Sequence, residues 1–349
     1  MASEASGYYR ETLKGCEVIY RNKTEFDLKH AAMVRDGRDG LQVISDFDFT
    51  LTRYYQADGE SRSASCHMVL EHSTGLLPEN YLIAAKELQL YYYPIEQDPT
   101  MDPDIKFQHM EDWVNKHNVL FMDCGLTEDI IQTAVVRAYD TGKFRLRDGL
   151  EHMISMLYDA NVPLLIFSAG ITNVLEFALQ SALAPTTSDG TKCIEPLPSN
   201  INIISNRCLF ETTSTDNDDG ATTTNVSGAL IGFSTPVLHV YNKSCHAFRD
   251  TNPHFPKSIH RKNVLLFGDS LGDIKMSQGY EDNINNIIKI GFINDKIKAN
   301  EQLNTYLLES NYDMVIMGDP SLDVHQHLLE RILYPVTTSA STTRVSATV

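Results

Sequence analysis

The side chains best placed for chemistry in this chain stand where short apolar runs break into polar turns. In LQVISDFDFTLT (41–52) an apolar run delivers Asp46, and Asp48 follows two residues later. On an extended chain, side chains at i and i+2 share a face. Two carboxylates held that close repel unless a cation or a proton intervenes. A hard divalent cation such as Mg²⁺ suits oxygen ligands of this kind and usually engages a substrate phosphate as well. Thr50 and Thr52 can supply hydroxyls that lock the same loop. The competing reading is a strand end whose acidic residues arose by chance.

Three further segments repeat the pattern. VPLLIFSAG (162–170) ends in Ser168-Ala169-Gly170, directly before a helical pattern. Free backbone N–H groups at that helix start, with the Ser168 hydroxyl, make a phosphate seat. The plain alternative is that Ser168 is an N-cap. NVLLFGDSLGD (263–273) ends in Asp269 and Asp273, whose i, i+4 spacing puts both on one face of a turn. Asp269 can complete a metal site, and Asp273 can support it from behind. An acidic loop capping the next helix is the alternative. Lys243, in HVYNK, follows another expected strand. A lysine there is ordinarily solvated, but an acidic protein that handles a phosphate needs a local cation besides a metal.

The elements that must position these groups follow from the apolar pattern. Strands are expected at 41–45, 162–168, 201–205, 237–242, 263–268, 287–293 and 312–317. Unbroken β-branched runs of this length suit strands buried on both faces of a parallel sheet. Between them lie helical patterns, such as Leu150, Met153, Ile154 and Leu157, or Val174, Leu175, Ala178 and Ala182, with a last amphipathic helix over 322–333. This alternation predicts an α/β, doubly wound, mainly parallel sheet. Ligands bind such sheets at the carboxyl ends of the strands.

The stretch 53–145 differs. It shows helical patterns at 67–71, 79–93, 104–120 and 127–139 and no buried strand. Thr127 is an expected N-cap, with Glu128 and Asp129 in the first turn. The expected organisation is a core of 1–52 and 146–334, a helical domain of 53–145 inserted after the first strand, and a disordered Ser/Thr-rich tail, 335–349. Two polar segments, 185–200 and 211–228, read as surface insertions.

Composition narrows the partners. The 349 residues carry Lys+Arg 29 against Asp+Glu 46, a formal net charge of −17. That excludes a general nucleic-acid binder, which needs a basic footprint, and an electrostatic grip on anionic membranes. No apolar leader is visible, and the longest apolar runs fall short of the roughly 18 residues of a spanning helix. Cysteines 16, 66, 124, 193, 208 and 245 are scattered, which reads as reduced thiols in the cytoplasm.

Taken in order, the four segments resemble the haloacid dehalogenase-like phosphohydrolases. Asp46, Asp48 and Thr50 match that family's Asp-x-Asp-x-Thr, and Ser168 its second-motif serine. Lys243 matches its third-motif lysine, and Asp269 and Asp273 its fourth-motif acids. The helical insertion falls where the family carries its C1 cap. The segments DFDFTLT, YYYPIEQDP (91–99), IFSAGITNVLE (166–176), VLHVYNK (237–243) and LLFGDSLGDIKM (265–276) are similar to the cytosolic 5′-nucleotidase III family, over about residues 15–334. That family comprises pyrimidine 5′-nucleotidases and 7-methylguanosine-phosphate-specific relatives.

The resemblance implies a Mg²⁺-dependent hydrolysis of a nucleoside 5′-monophosphate through an aspartyl-phosphate. Asp46 is the implied nucleophile and Asp48 the implied acid and base. Mg²⁺ falls to Asp46, the Asp48 backbone carbonyl and Asp269, supported by Asp273 and Thr50. Ser168, the Ala169 amide and Lys243 fall to the phosphoryl oxygens. Glu96 matches the family's base-recognition acid in the cap. Tyr91–Tyr93 and Trp113 can stack on a base, but aromatic residues at helical spacing are more often cap core. The 185–200 and 211–228 segments look longer than the family's connections. The stretch 113–120 looks one residue shorter, so a family serine that helps hold a purine base has no match. The base, pyrimidine or 7-methylguanine, stays open, as does the oligomeric state.

Other readings compete. Gly268-Asp-Ser-Leu-Gly272 is also a G-x-S-x-G and a GDSL block, which would make Ser270 an acyl-hydrolase nucleophile served by His325 or His327. That reading leaves Asp46 and Asp48 unexplained. A non-catalytic phospho-ligand-binding protein, or a phosphatase of another small metabolite, fits the same fold.

Overall fold

The computed structural model describes residues 7–98, 100–185, 193–216, 222–244, 258, 260–279 and 284–335. The order is β1 (Tyr9–Leu13), β2 (Cys16–Tyr20), α1 (Lys23–Asp36), β3 (Leu41–Ser45), α2 (Cys66–Glu71), α3 (Glu79–Gln97), α4 (Pro103–Asp123), α5 (Glu128–Asp140) and α6 (Leu150–Asp159). Then come β4 (Leu164–Ile171), α7 (Thr172–Leu183), β5 (Ile201–Asn206), β6 (Cys208–Asp216), β7 (Thr222–Phe233), β8 (Asn263–Gly268), β9 (Asn286–Ile293), α8 (Ala299–Tyr306), β10 (Met314–Met317) and α9 (Asp323–Leu333).

β3 is buried along its whole length, as an unbroken run demands. Of its two buried polar side chains, Gln42 donates through Nε2 to the Arg261 carbonyl at 3.0 Å and Ser45 donates through Oγ to the Asp46 carbonyl at 2.7 Å. Among the described residues the main sheet runs β1-β2-β10-β9-β8-β3-β4-β5. From β10 to β5 every pairing is parallel, while β1 and β2 extend it antiparallel. Side chains alternate between faces: Val43, Ile166 and Leu265 join one buried cluster, and Ile44, Leu165 and Leu266 the other. Helices on both faces supply the rest, Leu175 and Leu328 on one side and Leu303 and Tyr306 on the other. The doubly wound, mainly parallel sheet is therefore the one expected.

The chain leaves β3 toward β4 and β5 on one side and returns on the other through β8, β9 and β10. Such a reversal opens a crevice at the strand tips. Register decides what meets there. Ser45 pairs with Ile166 of β4 and with Phe267 of β8. Asp46 and Asp269 thus follow the ends of β3 and β8 at nearly the level of Ser168 on β4.

Helices α2 to α5 lie between β3 and α6. Thr127 caps α5 through its side chain, accepting from Ile130 N at 3.3 Å. Tyr92 is buried and stacks on Trp113 at 5.7 Å, joining α3 to α4. One expected strand needs correction. No strand forms over 237–242, because the Asn206 side chain takes the place of a ladder: it bonds both the N–H and the C=O of Leu238, at 2.8 and 2.9 Å. The described parts of the polar segment 211–228 lie in an antiparallel pair, β6 and β7. The antiparallel β1–β2 pair also escaped the sequence pattern, since its short outer strand is largely exposed. The tail beyond Pro335 and residues 186–192 of the 185–200 segment lie outside the described residues.

Candidate active site

A cavity of about 410 Å³ opens over the strand tips. Asp46, Asp48, Ser168, Ala169, Lys243 and Asp269 line one end, and Glu96, Trp113, His117 and Glu71 line the helical end. A wider cleft of about 730 Å³, edged by His152, His327 and Arg331, contains none of these groups.

Asp46 follows β3 directly, and its N–H donates to the Phe267 carbonyl at 2.9 Å, carrying the sheet register one residue into the site. Its Oδ1 accepts from Lys243 Nζ, and its Oδ2 is buried with no hydrogen-bond partner. Asp48 lies on a turn rather than on extended chain. Its Oδ1 accepts from Cys66 N at 3.0 Å. Burial raises its pKa to about 6, against the lowering effect of that Cys66 contact. The Thr52 hydroxyl locks the turn by accepting from Phe49 N at 2.7 Å. The Thr50 hydroxyl, expected to share that task, is buried without a partner; its backbone carbonyl carries the contact instead.

Asp273 is committed through both oxygens. Oδ2 accepts from Asp269 N, Ser270 N and Ser270 Oγ at 3.1, 2.9 and 2.8 Å, and Oδ1 from Lys243 Nζ at 2.8 Å. Gly268 makes this approach possible: a Cβ there would meet Asp273 Cβ at 2.6 Å. Tyr306 Oη holds the Asp269 carbonyl at 2.6 Å. Burial alone would lower the pKa of Lys243, but the Asp273 and Asp46 carboxylates raise it above the ordinary lysine value. It is a fixed cation.

Ser168 is not an N-cap. β4 runs on to Ile171, and α7 starts at Thr172 with no side-chain cap. Ser168 Oγ accepts from Gly170 N at 3.0 Å, and the side chain is buried at the cavity wall. Glu96 sits in the last turn of α3, not in a loop beyond it. Burial raises its pKa. Its backbone carbonyl accepts from Lys106 Nζ at 3.2 Å and from Tyr241 Oη at 3.1 Å, tying the helical segment to the loop of Lys243.

The donor set fits a hard divalent cation. Among the described residues, Asp46, Asp269 and Asp273 bring one carboxylate oxygen each within 4.8 Å of one another. Burial and mutual repulsion push both Asp46 and Asp269 above the ordinary carboxylate range. Positive charge relieves exactly such a cluster. Since Asp273 already has four donors, Asp46 Oδ2 and Asp269 are the oxygens left for an ion.

Two cations escaped sequence reading. Arg62 opens on the cavity, 4.8 Å from the Phe49 ring and 5.5 Å from that of Tyr54. It lies in the polar stretch ADGESRSAS, which carries no periodic signal. Arg147 is wholly buried beneath the Phe49–Thr50 turn, and nothing in a lone arginine before a helix reveals that. Ser270 meanwhile serves Asp273, and His325 is packed between Phe267 and Phe292 with both ring nitrogens unpartnered, so no Ser–His pair exists there.

A parallel-sheet switch point carrying these acids and a buried lysine defines an α/β phosphohydrolase-type site. Comparison with known proteins makes the class specific. The family model for pyrimidine 5′-nucleotidase (UMPH-1) matches residues 49–333. The 7-methylguanosine phosphate-specific 5′-nucleotidase of Mus musculus is 34% identical over 334 residues, 96% of this chain and 97% of its own length. The A form from Xenopus laevis is 35% identical over 296 residues, 85% of this chain and 89% of its own. The crystal structure of cytosolic 5′-nucleotidase IIIB bound to cytidine superposes with a TM-score of 0.74 at 27% identity, covering 90% of this chain and 93% of that one. The chain belongs to the pyrimidine 5′-nucleotidase family. It is an enzyme of the 5′-nucleotidase class, a phosphoric monoester hydrolase on the haloacid dehalogenase-like fold, as its motifs implied. No helix among the described residues is long and apolar enough to cross a membrane.

Proposed function

We propose that this protein is a Mg²⁺-dependent hydrolase of nucleoside 5′-monophosphates, with Asp46 as nucleophile. The observation that carries this reading is the meeting of Asp46, Asp48, Ser168, Lys243 and Asp269 around one cavity at the switch point. An Asp46 carboxylate oxygen attacks phosphorus, and the bond from phosphorus to the nucleoside 5′ oxygen breaks. Asp48, whose pKa burial raises to about 6, so that its acid form is more accessible than an ordinary aspartate's, donates its proton to that leaving oxygen. In the second step Asp48 takes a proton from water, the water oxygen bonds to phosphorus, and the bond to Asp46 breaks.

Ser168 Oγ, the Ala169 amide and Lys243 face the phosphoryl oxygens, where transition-state charge spreads. Arg62 adds a second cation on the helical side. Asp46, the Asp48 backbone carbonyl and Asp269 would hold Mg²⁺, with Asp273 and the Thr50 segment behind them. When bound, the ion would supply charge neutralisation for the acids and the phosphoryl group.

Residues 53–145 act in this reading as the cap domain on a core of 1–52 and 146–334. Glu96 accepts hydrogen bonds from the base, either cytosine or 7-methylguanine, as the relatives' names and the cytidine-bound structure suggest. A cytoplasmic location belongs to the same reading, supported by the naming of that solved relative as cytosolic. The test is phosphate release from CMP, UMP, 7-methyl-GMP, AMP and a sugar phosphate, with Mg²⁺ and with EDTA. Metal-dependent release from a nucleotide in preference to the sugar phosphate is expected. Equal release from all, or release in EDTA, overturns the reading.

A further inference from the structure

Arg147 is a charge buried without exposure, and such a group is costly unless every donor is satisfied. All five are. Nε donates to the Thr50 carbonyl at 2.7 Å. Nη2 donates to the Phe49 carbonyl at 2.6 Å and to Asn294 Oδ1 at 3.1 Å. Nη1 donates to the Pro320 carbonyl at 2.8 Å and pairs with Asp319 Oδ1 at 2.8 Å. The guanidinium lies 3.9 Å from the centre of the Phe292 ring. Its backbone N–H also reaches the Leu51 carbonyl at 2.8 Å.

These contacts converge on one short turn. Phe49 has φ +64, a left-handed conformation that a bulky residue does not adopt without support. Its carbonyl receives a second bond, from Asn294 Nδ2 at 2.9 Å. Asp319 extends the clamp: its carboxylate also accepts from Tyr54 N and Tyr55 N, both at 3.1 Å, where the chain leaves the core for the helical segment. Arg147 and its partner Asp319 therefore hold both the turn after Asp48 and the first residues of the exit toward the helical segment. Nothing in this arrangement touches the cavity acids directly.

We propose that Arg147, with Asp319 and Asn294, is a positioning residue that sets the Asp48 carboxyl against Asp46 and holds the departure of the cap segment. The proposal rests on the 5′-nucleotidase reading and deepens it. The planar fork matters more than the charge, since five acceptors around its edge receive its five donors. Lysine at this place keeps the charge but offers a single point of donation.

The experiment compares the wild type with R147K and N294A, each checked for folding by circular dichroism and thermal melting, in Mg²⁺ with the best nucleotide. A misplacement of an acid by a fraction of its working distance costs up to roughly 100-fold in rate. R147K is expected to lose about 10- to 100-fold in kcat, with KM changed by less than about threefold. N294A, which keeps the guanidinium, is expected to lose less in the same direction. A folded R147K with kcat within about twofold of wild type overturns the proposal, as does a loss confined to KM. If R147K does not fold, the kcat and KM of N294A decide by the same criteria. A wild type that hydrolyses no nucleotide would instead sink the underlying reading and leave the clamp a structural feature only.

Discussion

At the strand-tip end of the cavity most polar groups are held by named neighbours, whereas at the helical end several buried polar groups face the cavity with few. Asp273 accepts four bonds, Lys243 is fixed between two carboxylates, and Asp48 takes an N–H from Cys66. Glu71, by contrast, is pushed up to about 7 by burial, and His67 down to about 4. The His67 ring makes no hydrogen bond among the described residues, although it packs near His117 at 5.4 Å. His117 itself meets Tyr81 Oη at 3.1 Å. One end is organised before any substrate arrives; the other carries donors and acceptors that a bound base would satisfy. Rate and specificity should therefore separate by region.

The largest effect expected belongs to the organised end. Asp46→Asn should lower kcat by roughly 10⁴-fold or more, since the nucleophile and its partners act as a unit. A variant that still turns over at a tenth of the wild-type rate would break the separation at its root. Asp48→Asn should cost about 10²- to 10⁴-fold, the range of a general acid and base. Its pH dependence has a sign. Burial sets the Asp48 pKa near 6, so the acid form needed for the first step is lost as pH rises through that value. The kcat/KM profile should fall above about pH 6 in the wild type, and Asp48→Asn should lack that limb. A profile flat from pH 5 to 8 would assign the acid elsewhere.

Glu96→Gln sharpens the comparison from the other end. It should cost roughly 10- to 100-fold in kcat/KM for the preferred nucleotide, the worth of a hydrogen bond to a charged group. Release from a small phosphate without a base should stay near wild type. If both substrates suffer alike, the helical end is not a recognition site. Metal binding can be read without turnover. Mg²⁺ should raise the melting temperature of the wild type and raise it less in Asp269→Asn, because a ligand that binds only the folded state stabilises it. An equal rise in both would remove Asp269 from the ion. The smallest effect is Ser270→Ala, which loses one of the four bonds to Asp273 and should keep kcat within about fivefold. A total loss there would return the acyl-hydrolase reading to consideration.

Much of this was legible in the chain itself. Unbroken runs such as LQVIS and NVLLFG bury on both sides of a parallel sheet because no alternative environment suits them, and they carry their terminal acids with them. The 3.6-residue pattern of 79–93 and 104–120 yielded helices, though both run longer than the apolar signal, since polar residues continue a helix without marking it. Less legible was anything whose partner is distant in sequence. The loop of Lys243 looked like a strand, because Val237 and Leu238 are strand formers; only Asn206, 32 residues away, shows that a side chain has taken over the ladder. Ser168 looked like a cap, because the extension of β4 beyond it depends on pairing with β5.

The sequence by itself determined the types of the reactive groups and the strands that end in them, because hydrophobic runs and their terminal residues are local in the chain. Tertiary structure alone decided which groups share a cavity. The pairing of Ser45 with Ile166 and Phe267 brings three strand tips level, and a shift of one residue would turn their side chains to the opposite face. It also decided that Arg147 lies beneath the Asp48 turn, about a hundred residues on in the chain, where a guanidinium has acceptors for all five donors. Its charge was visible from the start, but its partners exist only once the chain has folded.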